Sequence, residues 1–315
     1  MARKSKKKCS LVPHKKRDIL TIQEVKQKVG WHISAFNLPD NWSYTEGDGV
    51  VVAVLDTGID LDHPDLMGNL LDGYNVIDPS SPPEDDNDHG TAVAGMIAAL
   101  NNDLGIVGVA PKTKIVPVKV LDAEGCGNMD DVAKGIRWAT DLGVDMISLS
   151  LGCPRPLASV RTAIQAATRK GIPVFCAGGN VSKNEELLYP ARYPESIAVA
   201  ALDQNYRRAD FSNTGKMNLD FLAPGVDVCC LAKDGWYTMM SGSSIAQPFV
   251  CGVAALMLSA KRKYKLRVAL DTVDDYRNVL RNHGVNLGRK AEEDIMGGFG
   301  IIDPDSLAKW LRTQE

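Results

Sequence analysis

The sequence has no apolar run that approaches the roughly 20 residues needed to span a bilayer, which argues against a membrane protein. Its head, residues 1–17, carries eight Lys or Arg residues and no acid. No apolar stretch of about 7 to 15 residues follows this head, so the pattern of a secretory signal is missing. We therefore expect a cytoplasmic protein with no membrane partner.

Cysteine spacings typical of metal or redox motifs are also missing. The seven cysteines are scattered and odd in number, and no CxxC pair or His-rich cluster indicates zinc. Most of them lie in apolar segments typical of a core. Free thiols in a reducing compartment fit this pattern best.

Nucleotide and nucleic-acid motifs are missing too. Neither GxGxxG after the first predicted strand nor GxxxxGK[ST] is present, which disfavours a nucleotide-binding α/β protein. The basic head could attract nucleic acid, but no aromatic or groove-reading motif accompanies it. A solvated tail is the favoured interpretation, and we expect no nucleic-acid partner.

The apolar segments alternate along the chain between a pattern typical of strands and a pattern typical of helices. The chain has 315 residues, 44% hydrophobic and 24% charged, enough for one large core. Unbroken runs such as "VVVAVLD" and "VDMISLSLG" are typical of strands buried on both faces. Helical segments such as "NMDDVAKGIRWATDLG" lie between them. The alternation predicts an α/β fold with a parallel sheet.

Three residues end predicted strands, namely Asp56, Gly152 and Asn180. Open α/β sheets bind ligands beyond the carboxyl ends of their strands. We therefore expect a functional site along this edge of the sheet.

The stretch "MMSGSSIAQPFV" places Gly242 before two serines and an apolar helix, which predicts a tight turn there. Such a serine is commonly a plain helix cap, and a nucleophilic role needs a base and a carboxylate. The chain has only five histidines, and His89 in "DHGTAVAG" precedes a helix of small residues. Its ring can therefore stand at the same edge as Asp56.

The segments "VAVLDTGID", "DHGTAVAG" and "SGSSIAQP", in this order, resemble the catalytic blocks of the subtilases, the subtilisin-like serine proteases, from about Trp42 to Leu258. This is the known chain order of subtilisin itself. The resemblance implies a three-layer α/β fold with a central, mostly parallel sheet flanked by helices. It makes Asp56 the residue that orients the base, His89 the general base and acid, and Ser244 the nucleophile.

Further segments resemble parts of the same family. The segment "FCAGGN" resembles the oxyanion segment of the family, which implies that the Asn180 side chain donates a hydrogen bond to the oxyanion. "SLSLG" and "EGCGN" resemble two edges that hold an extended polypeptide substrate. The implied substrate-binding residues are Gly125, Cys126, Gly127, Ser150, Leu151, Gly152 and Gly178. Leu188 falls where relatives often carry a smaller residue, so we expect a shallow S1 pocket for small or medium apolar side chains.

"AALNNDLGIVGVAP" resembles the tight calcium loop of the family, although an Asn-rich turn is the competing interpretation. An oxygen cage with a carboxylate suits Ca²⁺. The implied ligands are the side chains of Asp65 and Asn102 and the carbonyls of Leu100, Leu104 and Ile106. A second, weaker cation site at Ala191, Tyr193, Ser196 and Asp220 stays open.

The head resembles the short extension of the intracellular subtilisins, which lies across the active site. We expect residues 1–20 to form this basic extension and residues 21–315 the peptidase domain. The candidate inhibitory residues are Leu11, Val12, Pro13 and His14. Proline has no N–H and fixes φ, so this segment can occupy a cleft without being readily cut. A floppy tail is the alternative.

The sequence thus predicts a calcium-dependent serine endopeptidase, made as a zymogen that its own extension inhibits. A peptide-binding pseudoprotease is the alternative, which the intact Asp56, His89, Asn180 and Ser244 disfavour. The physiological substrate, the P1 preference, the maturation site and further cation sites are left undetermined. The oligomeric state, a homodimer included, is also left open.

Overall fold

The computed structural model describes residues 8–11, 15–20, 26–182, 184–214, 218–285 and 300–315. Its strands are β1 (Lys8–Leu11), β2 (Lys15–Leu20), β3 (Val51–Asp56), β4 (Tyr74–Asn75), β5 (Lys114–Lys119), β6 (Cys126–Asn128), β7 (Met146–Leu149), β8 (Leu151–Gly152), β9 (Val174–Ala177), β10 (Ile197–Leu202), β11 (Phe221–Pro224), β12 (Val228–Ala232), β13 (Trp236–Ser241), β14 (Gly284–Val285) and β15 (Ile301–Ile302). Its helices are α1 (Trp31–Ser34), α2 (Leu38–Trp42), α3 (His89–Ala98), α4 (Met129–Leu142), α5 (Ala158–Arg169), α6 (Ser243–Tyr264), α7 (Val273–Asn282) and α8 (Pro304–Arg312).

A nine-stranded sheet runs through the centre of the protein, in the order β14-β15-β11-β10-β9-β7-β3-β5-β4. Its neighbours pair in parallel, apart from the antiparallel pair β14 and β15 at one end. Helices α3 and α6 pack together on one face, and α4 and α5 pack together on the other. The predicted three-layer α/β fold is therefore confirmed.

Strand β3 shows why the sheet is parallel and central. Five of its six residues are buried, because helices cover both faces of the sheet. In the register of β3 with β7, Leu55 lies opposite Leu149. The next residues, Asp56 and Ser150, therefore leave the sheet side by side at its carboxyl edge.

The helices differ in burial according to their place. Helix α4 is amphipathic; it begins where the Asn128 side chain accepts a hydrogen bond from Asp130 N, and it ends at Gly143 with a left-handed φ of 81°. Helix α6 is buried without a break from Ser243 to Ala260. It is therefore the core helix against which the sheet packs.

Helix α6 corrects one expectation from the sequence. Within the described ranges it is the single helix that is long and apolar enough to cross a bilayer, with 22 residues. Its apolar stretch is wholly buried inside the protein. Its apolar character is therefore explained by the core.

Two small three-stranded sheets carry the N-terminal segment. Strand β1 lies between β6 and β8, and β2 pairs with β13 beside β12. All of these pairs are antiparallel. The segment is therefore attached to the domain by strand pairing at two places.

We predict that buried His32 makes the fold acid-sensitive. Burial lowers the pKa of His32 from 6.5 to about 3. The unfolded chain binds this proton below its pKa of 6.5 and the native protein does not, so stability falls as the pH drops from 6.5 towards 3. The expected loss is about 2 kcal/mol between roughly pH 7 and pH 5. Denaturant unfolding should show a flatter pH dependence in His32→Leu, and an unchanged slope would contradict this.

Candidate active site

A buried carboxylate and an imidazole meet at the carboxyl edge of the sheet. Asp56 is the last residue of β3 and His89 is the first residue of α3. His89 Nδ1 lies 2.8 Å from Asp56 Oδ1, and both side chains are buried. A carboxylate only accepts, so Nδ1 carries the proton and Nε2 is the basic nitrogen of the ring.

Gly90 allows this contact to form. A Cβ at Gly90 would lie 1.9 Å from the carbonyl oxygen of Gly58, in the loop that follows β3. The N–H of Gly90 donates to Thr57 Oγ1 at 3.0 Å in the same loop. The first turn of α3 can therefore approach the end of β3 only because position 90 has no side chain.

Asp85 ties the same two elements together, and the sequence analysis missed it. Its Oδ1 accepts from the Thr57 hydroxyl at 2.8 Å, and its Oδ2 accepts from the Thr91 hydroxyl at 2.6 Å. Burial raises the pKa of Asp85, and these hydrogen bonds offset only part of that rise. The acidic run "EDDND" gave no signal to distinguish this buried acid from its exposed neighbours. Asp85 is a positioning residue for the pair of Asp56 and His89.

Ser244 lies in the first turn of α6 beside Ser150. Pro248, four residues later, has no N–H to donate to the Ser244 carbonyl. The Ser150 hydroxyl lies 2.9 Å from that carbonyl oxygen and 3.0 Å from Gln247 Oε1. Ser150 is the neighbour of Asp56 at the sheet edge, so this contact holds the serine turn at the edge where Asp56 and His89 meet.

The predicted tight turn is present, because β13 ends at Ser241 and α6 begins at Ser243, with only Gly242 between them. The turn does not require a glycine φ, since φ of 170° and ψ of 158° at Gly242 are extended backbone that other residues also adopt. Space is restricted instead at Gly225, the residue that follows β11. A Cβ at Gly225 would lie 2.7 Å from the carbonyl oxygen of Gly242. The glycine that the close approach requires is therefore Gly225.

The side-chain amide of Asn180 points its oxygen towards the serine turn. The N–H of Ser243 donates to Asn180 Oδ1 at 2.7 Å, and the N–H of Gly179 donates to Ser243 Oγ at 3.1 Å. A backbone N–H can only donate, so the oxygen of the Asn180 amide must face it. The amide nitrogen is then the end that donates elsewhere.

The two predicted substrate edges flank one extended strand of the same chain. Strand β1 pairs with β6 through Cys9 opposite Gly127 and Ser10 opposite Cys126. It pairs with β8 through Ser10 opposite Gly152 and Leu11 opposite Leu151. The N–H of Leu11 also donates to the carbonyl of Gly125 at 2.8 Å. The edges are therefore spaced to hold one antiparallel strand between them.

Strand β2 also pairs close to the serine turn. In β2, Lys15 lies opposite Ser241, three residues before Ser244. Leu11 lies opposite Leu151, beside Ser150. The other predicted inhibitory residues, Val12, Pro13 and His14, lie outside the described residues.

Leu188 fills space next to Gly152, a predicted substrate-binding residue, and next to Gly179. A Cβ at Gly152 would lie 2.9 Å from Leu188 Cβ, and a Cβ at Gly179 would lie 3.1 Å from Leu188 Cγ. The N–H of Leu188 donates to the carbonyl of Gly178 at 2.9 Å. The structure thus brings Leu188, Gly152 and Gly178 together.

The predicted calcium ligands cluster around Asp65. The Asn102 amide donates to Asp65 Oδ1 at 3.1 Å, and Tyr237 Oη donates to Asp65 Oδ2 at 2.9 Å. Burial raises the pKa of Asp65. Gln27, which the sequence analysis missed, reaches the carbonyls of Leu100 at 2.7 Å and Ile106 at 3.2 Å.

This oxygen set is of a type that suits a hard cation, and the Gln27 and Asn102 amides turn their nitrogens towards it. It contains a single carboxylate, which agrees with the finding that no cluster of three His, Cys, Asp or Glu side chains occurs in the described part of the chain. Gly105, with φ of 48°, is required here, because a Cβ would lie 2.3 Å from Asp65 Oδ2.

The second possible cation site already holds a positive side chain. The Arg277 guanidinium contacts Asp220 Oδ1 at 3.1 Å, the carbonyl of Pro194 at 2.6 Å, and the carbonyl of Ser196. Burial raises the pKa of Asp220 to about 6, although Arg277 opposes that rise. Arg277 therefore supplies the charge at the oxygens that the sequence left open for a metal.

Comparisons with known proteins point in one direction. A model described as the Subtilase family matches residues 47–300. Subtilisin Savinase of Lederbergia lenta is 40% identical over 286 residues, covering 90% of this chain and all of the relative. M-protease of Shouchella clausii (strain KSM-K16) is 42% identical over 286 residues, covering 90% and 70%. Thermitase of Thermoactinomyces vulgaris is 41% identical over 239 residues, covering 75% and 85%.

Proposed function

The chain belongs to the subtilase family and is a serine endopeptidase, and we propose that Asp56, His89 and Ser244 carry its peptide-bond hydrolysis. The observation that carries this assignment is the buried contact of 2.8 Å between His89 Nδ1 and Asp56 Oδ1, at the sheet edge where the Ser244 turn is held. The competing peptide-binding pseudoprotease finds no support in the relatives, whose names are those of proteases.

The proposed reaction proceeds through an acyl-enzyme. Ser244 Oγ attacks the scissile carbonyl while His89 Nε2 takes its proton, and His89 then protonates the leaving amine. Asp56 holds the ring in the required tautomer and stabilises the imidazolium. A water molecule, deprotonated by His89, releases the acyl group and restores Ser244.

Asn180 is proposed to stabilise the oxyanion. Its oxygen is held by the N–H of Ser243, which aims the amide nitrogen away from that contact. Ser244 lies at the N-terminus of α6, where backbone amides also favour negative charge. The donor acts mainly in the transition state, so it affects the turnover rate more than substrate binding.

We predict that Asn180→Asp keeps the hydrogen bond from the N–H of Ser243 and removes the hydrogen bond to the oxyanion. The carboxylate still accepts from the N–H of Ser243, but it cannot donate to the oxyanion. We expect kcat to fall roughly 10²–10³-fold, the size known for an oxyanion-hole amide of subtilisin, with little change in KM. Steady-state kinetics on a peptide substrate measure both, and a raised KM at unchanged kcat would refute the role.

The proposed S1 pocket is bounded by Gly152, Gly178 and Leu188. The Leu188 side chain takes volume between Gly152 and Gly179, so we expect a preference for small or medium apolar P1 side chains. A peptide panel varied at P1 should show higher kcat/KM for Ala, Val and Leu than for Phe. Leu188→Gly should raise kcat/KM for Phe, and a wild-type preference for aromatic P1 residues would refute this.

The N-terminal extension, residues 1–20, is proposed to inhibit the peptidase domain, residues 21–315, as a precursor. Strand β1 fills the place between β6 and β8 where a substrate strand would pair. Leu11 pairs with Leu151, beside Ser150, and Lys15 pairs with Ser241, three residues before Ser244. The segment that joins Leu11 and Lys15 contains Pro13, whose nitrogen has no hydrogen to donate.

Removing residues 1–20 should raise kcat/KM roughly tenfold or more, because the substrate no longer competes with β1 for the cleft. Each factor of ten corresponds to about 1.4 kcal/mol of strand pairing that is lost. Removing only residues 1–7 is the matched control, since it deletes basic residues but keeps β1 and β2. A synthetic peptide of residues 1–20 should inhibit the shortened enzyme competitively. Equal activity of the full and shortened chains would contradict the proposal.

Calcium is proposed to bind the oxygen set around Asp65. Gln27, Asp65 and Asn102 would hold it by side chains, together with the carbonyls of Leu100, Leu104 and Ile106. A bound cation would compensate the buried Asp65 charge and fix the loop, so its role is structural. No catalytic step passes through this site.

Calcium should therefore stabilise the fold. At roughly 100 times its Kd, we expect Tm of the Ser244→Ala protein to rise by about 5 °C. Gln27→Ala should reduce the rise, whereas Asn218→Ala should not; it is the matched control, because the Asn218 amide also donates to a backbone carbonyl, that of Arg192. Identical Tm values in calcium and in chelator would contradict the proposal.

A cytoplasmic, reducing location is proposed from the thiols. All seven cysteines are free and five of them are buried in the structure. A chain that folds with this many unpaired thiols is suited to a reducing compartment. Fractionation of source cells would test the location, and recovery of the protein only outside the cells would contradict it.

A further inference from the structure

Two buried cysteines lie at neighbouring strands of the proposed substrate cleft, where the Cys153 thiol donates to the Arg155 carbonyl at 3.0 Å. Ser10 lies opposite Gly152, and Leu11 lies opposite Leu151 in the antiparallel pair of β1 and β8. One step further in this register, Cys9 comes opposite Cys153. Both cysteines are free and buried, with 3% and 4% of their surface exposed.

The hydrogen-bond pattern shows what kind of pair they form. Cys153 exchanges both backbone hydrogen bonds with Tyr189, on the side of β8 away from β1. Cys9 pairs with Gly127, on the side of β1 away from β8. Cys9 and Cys153 are therefore a non-hydrogen-bonded pair, the type whose Cα atoms lie closer, at about 4.5 Å. Disulfides span Cα separations of about 4.4–6.8 Å.

Cys126 is excluded as the partner by the same register. Cys9 lies directly opposite Gly127, so its side chain points to the same face as position 127. Cys126 precedes Gly127 and points to the opposite face. Its exposure agrees with this, since Cys126 is exposed and Cys9 is buried.

We propose that Cys9 and Cys153 form a disulfide in the presence of a small-molecule disulfide such as oxidised glutathione, and that this bond locks strand β1 in the cleft. The disulfide itself follows from the register; its effect on activity rests on the proposed inhibition by the extension. The protein then has a redox-controlled precursor, in which a reductant must act before the extension can leave.

The reaction balances with two exchange steps. One cysteine thiolate attacks the glutathione disulfide, forming a mixed disulfide and releasing one glutathione thiolate. The second cysteine thiolate attacks the protein sulfur of that mixed disulfide, forming the Cys9–Cys153 bond and releasing the second glutathione. The two cysteines lose two electrons and two protons, and oxidised glutathione becomes two molecules of the thiol.

The first step occurs while β1 is out of the cleft. In the docked state burial raises the pKa of Cys9 to about 12, and it also raises that of Cys153, so both are protonated and unreactive. Undocking exposes both thiols to solvent and to the oxidant. As β1 returns to the cleft, the second thiolate reaches the mixed disulfide before burial is complete.

Disulfide mapping tests the bond without relying on activity. The full-length Ser244→Ala protein, which cannot remove its own extension, is incubated with oxidised or reduced glutathione, alkylated, digested and analysed by mass spectrometry. We expect a Cys9–Cys153 linked peptide only after oxidation. It should disappear in Cys9→Ser and in Cys153→Ser and persist in Cys126→Ser. No linked peptide, or a link between Cys9 and Cys126, would overturn the proposal.

Activity of the full-length wild-type chain tests the consequence. Oxidised protein should be at least tenfold less active on a peptide substrate than reduced protein, and reductant should restore it. Cys9→Ser should show no such response to oxidation. A mapped Cys9–Cys153 link with unchanged activity would uphold the disulfide and refute inhibition by the extension.

Discussion

The hydrogen bond between buried Asp56 and His89 is the interaction around which the rest of the site is arranged. A carboxylate at the end of a strand buried on both faces is costly unless it is paired. His89 and the N–H of Thr57 provide its partners. Gly90 makes the approach possible, and Asp85 fixes the two segments that bear the pair. The core helix α6 brings the third group to the same edge, because Ser150 takes up the carbonyl that Pro248 leaves without a helical partner.

The same edge also explains how the cleft selects a polypeptide. Strands β6 and β8 present backbone groups to an extended chain, and the register of β1 shows that one antiparallel strand fits between them. A substrate and the extension would therefore compete for the same hydrogen bonds. Strand pairing recognises backbone regardless of sequence, so side-chain pockets must supply the selectivity, and the proposed inhibition by the extension would determine when the cleft is open. The thiols Cys9 and Cys153 would make that inhibition depend on redox conditions.

Much of this could be predicted from the sequence, because the relevant signals are local. The Val-rich run predicted β3 and placed Asp56 at its end, and the small-residue helix placed His89 beside it. What was missed depends on contacts between distant segments. Asp85 looks like any acid in a polar run, Gln27 reaches a loop more than 70 residues away, and Arg277 binds carbonyls about 80 residues away. The turn at Gly242 was predicted, but the position where close packing requires a glycine is Gly225, a neighbour only in the folded chain.

Labelling with a fluorophosphonate tests the central assignment most directly, since this reagent reacts with a serine only when a neighbouring base activates it. The account predicts that the chain lacking residues 1–20 is labelled at a single serine, Ser244, as located by mass spectrometry. His89→Ala should slow that labelling severely, and Ser244→Ala should abolish it. Labelling at another serine, or an unchanged rate in His89→Ala, would contradict the account.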